Sequence, residues 1–162
     1  MFYNLFNTLD KKSPFARAQA HCDVPCGIYD PSTAQIAALT VVRMMDLMAD
    51  KFANNEHDVE HINSIARYIA VKEESAEKAK HEIRIIWGDY FKKDKHPNVE
   101  NLVQKIMQLG GKCRQSADRE AGVAFVAAIN EFAAIFWETK GVATKKANAP
   151  YAPALEMVYP NL

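Results

Sequence analysis

The chain has 162 residues, of which 49% are hydrophobic and 25% charged, a composition typical of a single globular domain with a buried core. Basic and acidic residues both number 20, so the zero formal net charge favours neither nucleic acid nor an anionic membrane as a partner. No apolar run approaches the ~20 residues that span a bilayer. Three cysteines are too few for a secreted disulfide scaffold, so we expect reduced thiols or a metal site.

The first 20 residues differ in character from the rest of the chain. Their apolar start precedes the charged residues at 10–17, which reverses the order found in a secretory signal. The segment ends in Ala18-Gln19-Ala20, which resembles a small-residue cleavage site. We interpret residues 1–20 as a pro-segment that a processing protease removes without export, which favours the cytoplasm. The alternative is an N-terminal arm that the mature protein keeps.

Residues 21–31 concentrate the metal-ligand chemistry of the chain. Cys22 and Cys26 lie four positions apart, and His21 directly precedes the first of them. Thiolate and imidazole are the ligands that soft or borderline transition metals prefer. In the same segment a proline fixes one backbone torsion, and a glycine allows a conformation that other residues resist. The three side chains can therefore turn toward one point.

Proteolysis would change the donor set of this segment. A cut after Ala20 would expose the α-amino group of His21 as a fourth donor, and a metal that favours planar nitrogen and sulfur donors could deprotonate the backbone nitrogen of Cys22. Cu(II) and Ni(II) have that preference. Zinc would require four tetrahedral side-chain ligands, and no second Cys/His pair lies near this segment. Two thiolates and a deprotonated amide stabilise a higher oxidation state, which suits a one-electron cycle.

Four helices are predicted after this segment. Asp30 can cap the free N–H groups of the first helix, and Pro31 suits the first helical position. Apolar residues spaced three and four apart predict four amphipathic helices, at about 32–53, 58–91, 98–109 and 116–140. Gly110-Gly111 is expected to end the third. The pattern predicts an all-α, antiparallel up-down four-helix bundle over residues 32–141.

The segment 142–162 is predicted to be an extended tail. It carries three prolines and therefore cannot form a continuous helix. We expect it to lie on the bundle or on a neighbouring subunit, and we predict no strand anywhere in the chain.

Three further features are predicted to be structural. Cys113, apart from the other cysteines, is expected to be buried or half-buried. His57 and His61 share a helix face with two acidic neighbours, which favours a solvated face over a metal site. The Lys/Glu-rich run 72–80 is also expected to be a solvated helix face.

Three segments carry a resemblance to a known family. HCDVPCGIYDP at 21–31 resembles the nickel hook of the nickel-containing superoxide dismutases. WGDYFK at 87–92 and IFWETK at 135–140 are similar to two other segments typical of that family. The resemblance therefore covers roughly residues 21–140.

The resemblance implies a function and a cofactor. It implies a superoxide dismutase that converts two superoxide anions to oxygen and hydrogen peroxide by Ni(II)/Ni(III) cycling. The nickel ligands would be His21, Cys22 and Cys26, in an N-terminal hook before the bundle. The resemblance also implies a homohexamer of bundles.

Four further residues are candidates for a catalytic role beside the metal. Tyr29 lies three residues past the second cysteine, where its phenol could hydrogen-bond an anion or a water. The resemblance adds Asp23, Tyr90 and Lys92 as neighbours of the site. The charge of Lys92 and of the lysines after it could attract a small anion. Ordinary packing at a solvated bundle end is the alternative for Tyr90 and Lys92.

The sequence departs from the family at two supporting positions. Ala37 and Ser75 stand where the family carries a glutamate and an arginine that support the hook histidine. The support that usually orients a metal-binding imidazole must therefore come from elsewhere for His21.

Two other classes of function fit the residues alone. A helical metal-binding or redox-sensing module would use Cys22 and Cys26 as a reversible disulfide without catalytic turnover. A purely structural helical assembly would tolerate Cys22→Ser without loss of function.

Overall fold

The computed structural model describes residues 27–54, 58–92 and 94–162. Over these ranges the chain forms four α-helices: α1 Ser32–Ala53, α2 Val59–Ile85, α3 Val99–Gln115 and α4 Arg119–Thr139. Helix α1 packs along α2 and α4, and α3 packs along the same two helices, so each helix has two neighbours. The short connections make sequential neighbours antiparallel. The predicted all-α four-helix bundle is confirmed.

The apolar stripes of the helices meet in one core. Its largest fully buried side chains come from all four helices and include Phe125, Phe132, Ile83, Ile106 and Val41. Burying such side chains stabilises a fold by ~1.5–3 kcal/mol each relative to leaving them exposed. The periodicity that predicted the helices identified only part of this core, because Ile36, Phe52 and Ile62 lie exposed on α1 and α2.

Aspartate side chains define the beginnings of three helices. Asp30 Oδ1 accepts a hydrogen bond from the backbone N–H of Ser32 at 2.8 Å, Asp58 caps α2 and Asp118 caps α4. Such caps satisfy N–H groups that have no partner within the helix. The bounds of α1 agree with the prediction. Helix α4 begins three residues later than predicted, and α2 ends at Ile85, from where a π-helical turn continues to Tyr90.

The expectation that Gly110-Gly111 ends the third helix is wrong, because α3 continues to Gln115. Gly110 is buried, and a Cβ atom there would lie 2.7 Å from the Lys80 side chain and 3.1 Å from the Phe125 ring. The glycine is therefore needed for close packing of α3 against its neighbours, at a modest cost in helix propensity. Gly110 is therefore a contact point and not a stop signal, whereas a Cβ atom at Gly111 would meet nothing within 4 Å.

Lys72 contradicts the prediction that the run 72–80 is a solvated face. Its side chain is buried, and its Nζ donates hydrogen bonds to three backbone carbonyls at the end of α3, those of Cys113 at 2.6 Å, Arg114 at 2.8 Å and Ser116 at 3.0 Å. A cation suits a helix C-terminus, where carbonyl groups have no partner within the helix. Burial lowers the pKa of Lys72.

Glu77, in contrast, lies at a partly exposed ion-pair cluster. Its carboxylate accepts hydrogen bonds from Arg84 at 2.8 Å and from Lys80 and Arg114 at 3.0 Å. The Arg84 and Lys80 bonds lower the pKa of Glu77 from 4.5 to about 2. Because the folded-state pKa is depressed, the stabilisation is present above pH 4.5 and is lost as the pH falls toward 2.

We therefore expect Glu77→Gln to destabilise the protein in a pH-dependent way. At pH 7 the loss should be about 1 kcal/mol, a value that allows for solvent screening at this exposed site. The difference from the parent should shrink below the ordinary carboxyl pKa of 4.5. Urea unfolding at several pH values measures it, with Glu74→Gln, exposed on the same helix, as control. A deficit that does not change with pH would refute the assignment.

His61 and Cys113 are both buried. The prediction of a solvated face is wrong for His61, whose ring packs edge-on against Phe52 with centroids 5.7 Å apart. His57 lies outside the described residues. The prediction for Cys113 is confirmed, and burial raises the pKa of its thiol to about 11.

The C-terminal segment is a β-hairpin, so the prediction that the chain has no strand is wrong. Strands β1 Thr144–Asn148 and β2 Glu156–Pro160 pair antiparallel, and β2 packs against α4. Pro150 and Pro153 lie in the connection, and Pro160 ends the second strand, where none of them interrupts the ladder. The prolines exclude a helix, as predicted, but leave room for two short strands.

A buried amide cluster attaches this hairpin to the bundle. Gln35 Nε2 donates to Asn130 Oδ1 and to the carbonyl of Val158, both at 2.8 Å. Asn130 Nδ2 donates to the carbonyl of Glu156 at 2.8 Å, and the Val158 N–H donates to Asn130 Oδ1 at 3.2 Å. Side chains from α1 and α4 thus satisfy backbone groups that β2 buries.

We expect Asn130→Ala to destabilise the protein by about 2–3 kcal/mol. The substitution leaves the Val158 N–H and the Glu156 carbonyl without this partner, and an unsatisfied buried polar group costs ~1–3 kcal/mol. Urea unfolding measures the loss. Glu131→Ala, at the next and exposed position of α4, should change stability by less than ~0.5 kcal/mol. Similar losses in the two variants would contradict the role of the amide cluster.

Helix α4 corrects one expectation from composition. Within the described ranges, α4 is the one helix that is both long enough and apolar enough to span a bilayer, although no such run was expected. Half of its most apolar window is buried inside the bundle. A core helix of a water-soluble protein passes the same test, and the absence of a membrane partner stays a prediction.

Candidate metal centre

The proposed metal ligands His21, Cys22 and Cys26 lie outside the described residues, as does Asp23. The described chain starts at Gly27, which immediately follows the second cysteine and has a φ of 86°. Only glycine adopts this left-handed conformation without strain, so the chain turns directly after the cysteine. In the part of the chain that the structure describes, no three His, Cys, Asp or Glu side chains are placed to hold a metal ion.

The segment after this turn is fixed to the bundle. Pro31 is fully buried, and its carbonyl accepts a hydrogen bond from the Gln35 N–H at 3.0 Å as α1 begins. Asp30 accepts a hydrogen bond from Ser32 in the same turn. Only four residues separate Cys26 from Pro31 in the sequence, so this fixed turn follows almost directly after the candidate ligands along the chain.

Tyr29 and Tyr90 meet at this end of the bundle, as expected if both border one site. Their ring centroids are 6.0 Å apart at an interplanar angle of 53°. Tyr90 also packs against Phe91 and Phe136, with centroids 5.3 and 5.1 Å away. Both tyrosines are partly buried, so each combines an apolar contact with a polar tip.

A π-helical turn, Ile86–Tyr90, places Tyr90 at the end of α2. The backbone becomes extended at Phe91, where the helical conformation ends. Such turns are rare in proteins, and those that occur often lie at functional sites. The turn overlaps the segment 87–92 that the sequence indicated, and the extended backbone at Phe91 follows it in the same segment.

Thr139 and Lys140 are residues of this end that sequence reasoning did not assign. Thr139 Oγ1 lies 2.7 Å from Tyr90 Oη and donates to the Phe136 carbonyl at 2.6 Å. The Lys140 ammonium lies 4.3 Å from the centroid of the Tyr90 ring, a cation–π contact. Both belong to the segment 135–140, so the motif was the available signal.

Lys92 occupies a different part of this end. Its side chain is exposed and lines a cavity of about 200 Å³ with Trp87, Phe91 and His96. Tyr29 is not among the described residues that line this cavity. The structure therefore brings the two tyrosines together, while Lys92 lies at a separate cavity.

The two positions that depart from the family carry no charge. Ala37 is buried in the core, and Ser75 is partly buried in α2. Ser75 precedes Tyr90 by 15 residues, about 22 Å along a helix at 1.5 Å per residue. Neither side chain can pair with an imidazole as a glutamate or arginine does.

A four-helix bundle with thiolate and imidazole donors ahead of its first helix defines a class of helical metalloprotein. The family model described as nickel-containing superoxide dismutase matches residues 16–140. The chain belongs to the nickel-containing superoxide dismutase family. The predicted family, enzyme class and nickel cofactor are thereby confirmed, and the hairpin 144–160 lies beyond the matched residues.

Known proteins of this family are similar over most of their length. "Superoxide dismutase [Ni]" of Streptomyces coelicolor (strain ATCC BAA-471 / A3(2) / M145) is 35% identical over 131 residues, which cover 79% of this chain and 94% of that protein. The protein of the same name from Streptomyces seoulensis is 34% identical over the same shares. The native nickel superoxide dismutase structure at 1.30 Å has a TM-score of 0.64 and 35% identity, covering 75% of this chain and 99% of that chain.

Proposed function

We propose that the chain dismutates superoxide at a nickel ion held by the thiolates of Cys22 and Cys26 and by His21. Family membership supports the reaction, and the donor chemistry of residues 21–26 supports the metal. Two soft thiolates with nitrogen donors in sequence suit the planar preference of Ni(II). The observation that carries the proposal is the family match over residues 16–140, which includes all three candidate ligands.

Bound nickel supplies a one-electron cycle between Ni(II) and Ni(III), by which one superoxide is oxidised to oxygen and a second, with two protons, is reduced to hydrogen peroxide. The residues of the chain hold the ion and shape its surroundings. Tyr29, with Asp23 of the hook, is proposed to order the hydrogen bonds around a small anion. Lys92 and Lys140 place positive charge at the same end of the bundle, which raises the local concentration of anions.

Residues 1–20 form a pro-segment in this account, and a processing protease cuts after Ala20. The cut makes the α-amino group of His21 available as a metal donor, so maturation and metal binding are coupled. The cytoplasm is the proposed location, because the order of apolar and charged residues in this segment does not fit an export signal.

The mature protein is proposed to be a homohexamer. Large apolar side chains lie exposed near the junction of α1 and α2, at Phe52, Val59 and Ile62. Exposed apolar clusters of this kind mark contact surfaces between subunits. The number of subunits rests on the family resemblance, and light scattering of the mature protein measures it.

Reconstitution with different metals tests the proposed reaction. The chain that begins at His21 is loaded with nickel, copper or zinc and assayed for loss of superoxide. We expect dismutase activity with nickel and at most a small fraction of it with copper or zinc. Activity with zinc equal to that with nickel would contradict redox cycling, because zinc has one accessible oxidation state.

A further inference from the structure

The hydrogen bonds around Thr139 determine whether the Tyr90 phenol is the donor or the acceptor in its bond with Thr139. Thr139 Oγ1 lies 2.6 Å from the Phe136 carbonyl oxygen and 2.7 Å from Tyr90 Oη. A carbonyl oxygen only accepts hydrogen bonds, and a threonine hydroxyl has a single proton. Thr139 therefore donates to Phe136, and the Tyr90 phenol must donate to Thr139.

This polarity limits what Tyr90 can do at the hook end of the bundle. Its one phenolic proton is engaged by Thr139 at 2.7 Å, an ordinary distance for a hydrogen bond between hydroxyl groups. While this bond is formed, the phenol oxygen offers only lone pairs to any other group. Tyr90 then acts toward the site as a hydrogen-bond acceptor and does not donate to an anion.

The surroundings of Tyr90 hold the ring in the orientation that this bond requires. Phe91 and Phe136 pack against it at 5.3 and 5.1 Å, and the Lys140 ammonium lies 4.3 Å from its centroid. Tyr29 contacts the same ring from the segment that follows the hook. The ring is thus fixed by packing, and its hydroxyl is fixed by one side chain at the end of α4.

We propose that Thr139 is a positioning residue of the dismutase site, acting through Tyr90 by accepting the hydrogen bond of its phenolic O–H. The proposal rests on the proposed function of the hook. The reaction consumes two protons per peroxide formed, so the site must distinguish groups that donate from groups that accept. Thr139 makes Tyr90 a hydrogen-bond acceptor toward the site, and the phenol oxygen then orients a donor on the hook side.

The first test follows the hydrogen bond itself and needs no metal. Protein labelled with ¹³C at the tyrosine ζ carbon is compared by NMR as the parent, Thr139→Val and Thr139→Ser, with Tyr90→Phe identifying the Tyr90 signal. We expect the Tyr90 signal to move in Thr139→Val, which lacks the hydroxyl, and to stay close to the parent position in Thr139→Ser. An unmoved signal in Thr139→Val would overturn the proposal.

The second test measures kcat/KM of the nickel-loaded enzyme. Thr139→Val should lower it about fivefold, the factor that a typical hydrogen bond supplies, and Thr139→Ser should stay within about twofold of the parent. In the Tyr90→Phe background, Thr139→Val should have no further effect, because the residue acts through the phenol. Effects that multiply in the double variant would overturn the proposal.

The two tests also separate this proposal from the proposed function. An inactive nickel-loaded parent would refute the dismutase assignment and with it the role of Thr139 in catalysis, even if the NMR signal moves. An active parent with unchanged activity in Thr139→Val would refute the role of Thr139 alone. Thr139→Ala provides a second variant without the hydroxyl if the branched valine disturbs the end of α4.

Discussion

A protein that keeps one extra residue before His21 is expected to lose dismutase activity by at least ~100-fold. The extra residue converts the α-amino nitrogen of His21 into an amide and removes it as a donor. Even changes to groups that only support a metal ligand cost ~10–100-fold in affinity or activity, so loss of a ligand should cost more. Chains beginning at Ala20 and at His21 are compared for activity and for bound nickel.

The full chain from Met1 provides a second comparison, because it also lacks the free amino group at His21. It should be as inactive as the chain that begins at Ala20. Circular dichroism should show the same helix content in both short forms, since α1 begins only at Ser32. Full activity in the uncut chain would refute the α-amino group as a ligand.

Replacing either hook cysteine by serine is expected to abolish nickel binding and activity. A serine hydroxyl is a hard donor that stays protonated at neutral pH, so Cys22→Ser or Cys26→Ser leaves one thiolate for a metal that prefers soft ligands. The bundle should remain folded, because its core consists of residues from Ala34 onward. Metal analysis after dialysis and a superoxide assay measure the two losses.

Cys113→Ala is the matched control for these variants. The Cys113 thiol is fully buried, and burial raises its pKa to about 11, so it stays protonated at neutral pH and does not compete for the metal. The variant should keep nickel and activity, with at most a small loss of stability. Nickel retained by Cys22→Ser, or lost in Cys113→Ala, would contradict the assignment of ligands.

Local sequence patterns were sufficient to predict the four helices. Apolar spacing and helix capping act over a few residues, so the helices could be predicted without tertiary information, and in the structure Asp58 and Asp118 cap two of them. Gly110 and Lys72 were misread because their roles depend on other helices. Gly110 allows a close contact between helices, and Lys72 donates hydrogen bonds to carbonyl groups at the C-terminal end of α3.

The hairpin could not be predicted because its stability depends on distant residues. The paired strands β1 and β2 are short, so in the sequence they resemble an irregular tail. The prolines around them also obscure the pattern of a strand. Its attachment depends on Gln35 and Asn130, which lie 95 residues apart in sequence. Polar residues in two helices give no local indication that they bind a strand.

At the candidate site, the sequence predicted residue types better than their arrangement. The motifs placed Tyr29 and Tyr90 at one site, and the structure brings their rings together. The roles of Thr139 and Lys140 depend on how the end of α4 meets the π-helical turn, which no local pattern encodes. The ligands themselves stay a prediction from chemistry and family resemblance.

The most direct test of the account is the metal content and the N-terminal residue of the protein purified from its own host. The account predicts one equivalent of nickel per chain and a mature protein that begins at His21. An intact N-terminus at Met1 with Cys22 and Cys26 joined as a disulfide would contradict it and favour a thiol redox sensor. Zinc or copper at one equivalent without nickel would contradict the metal assignment.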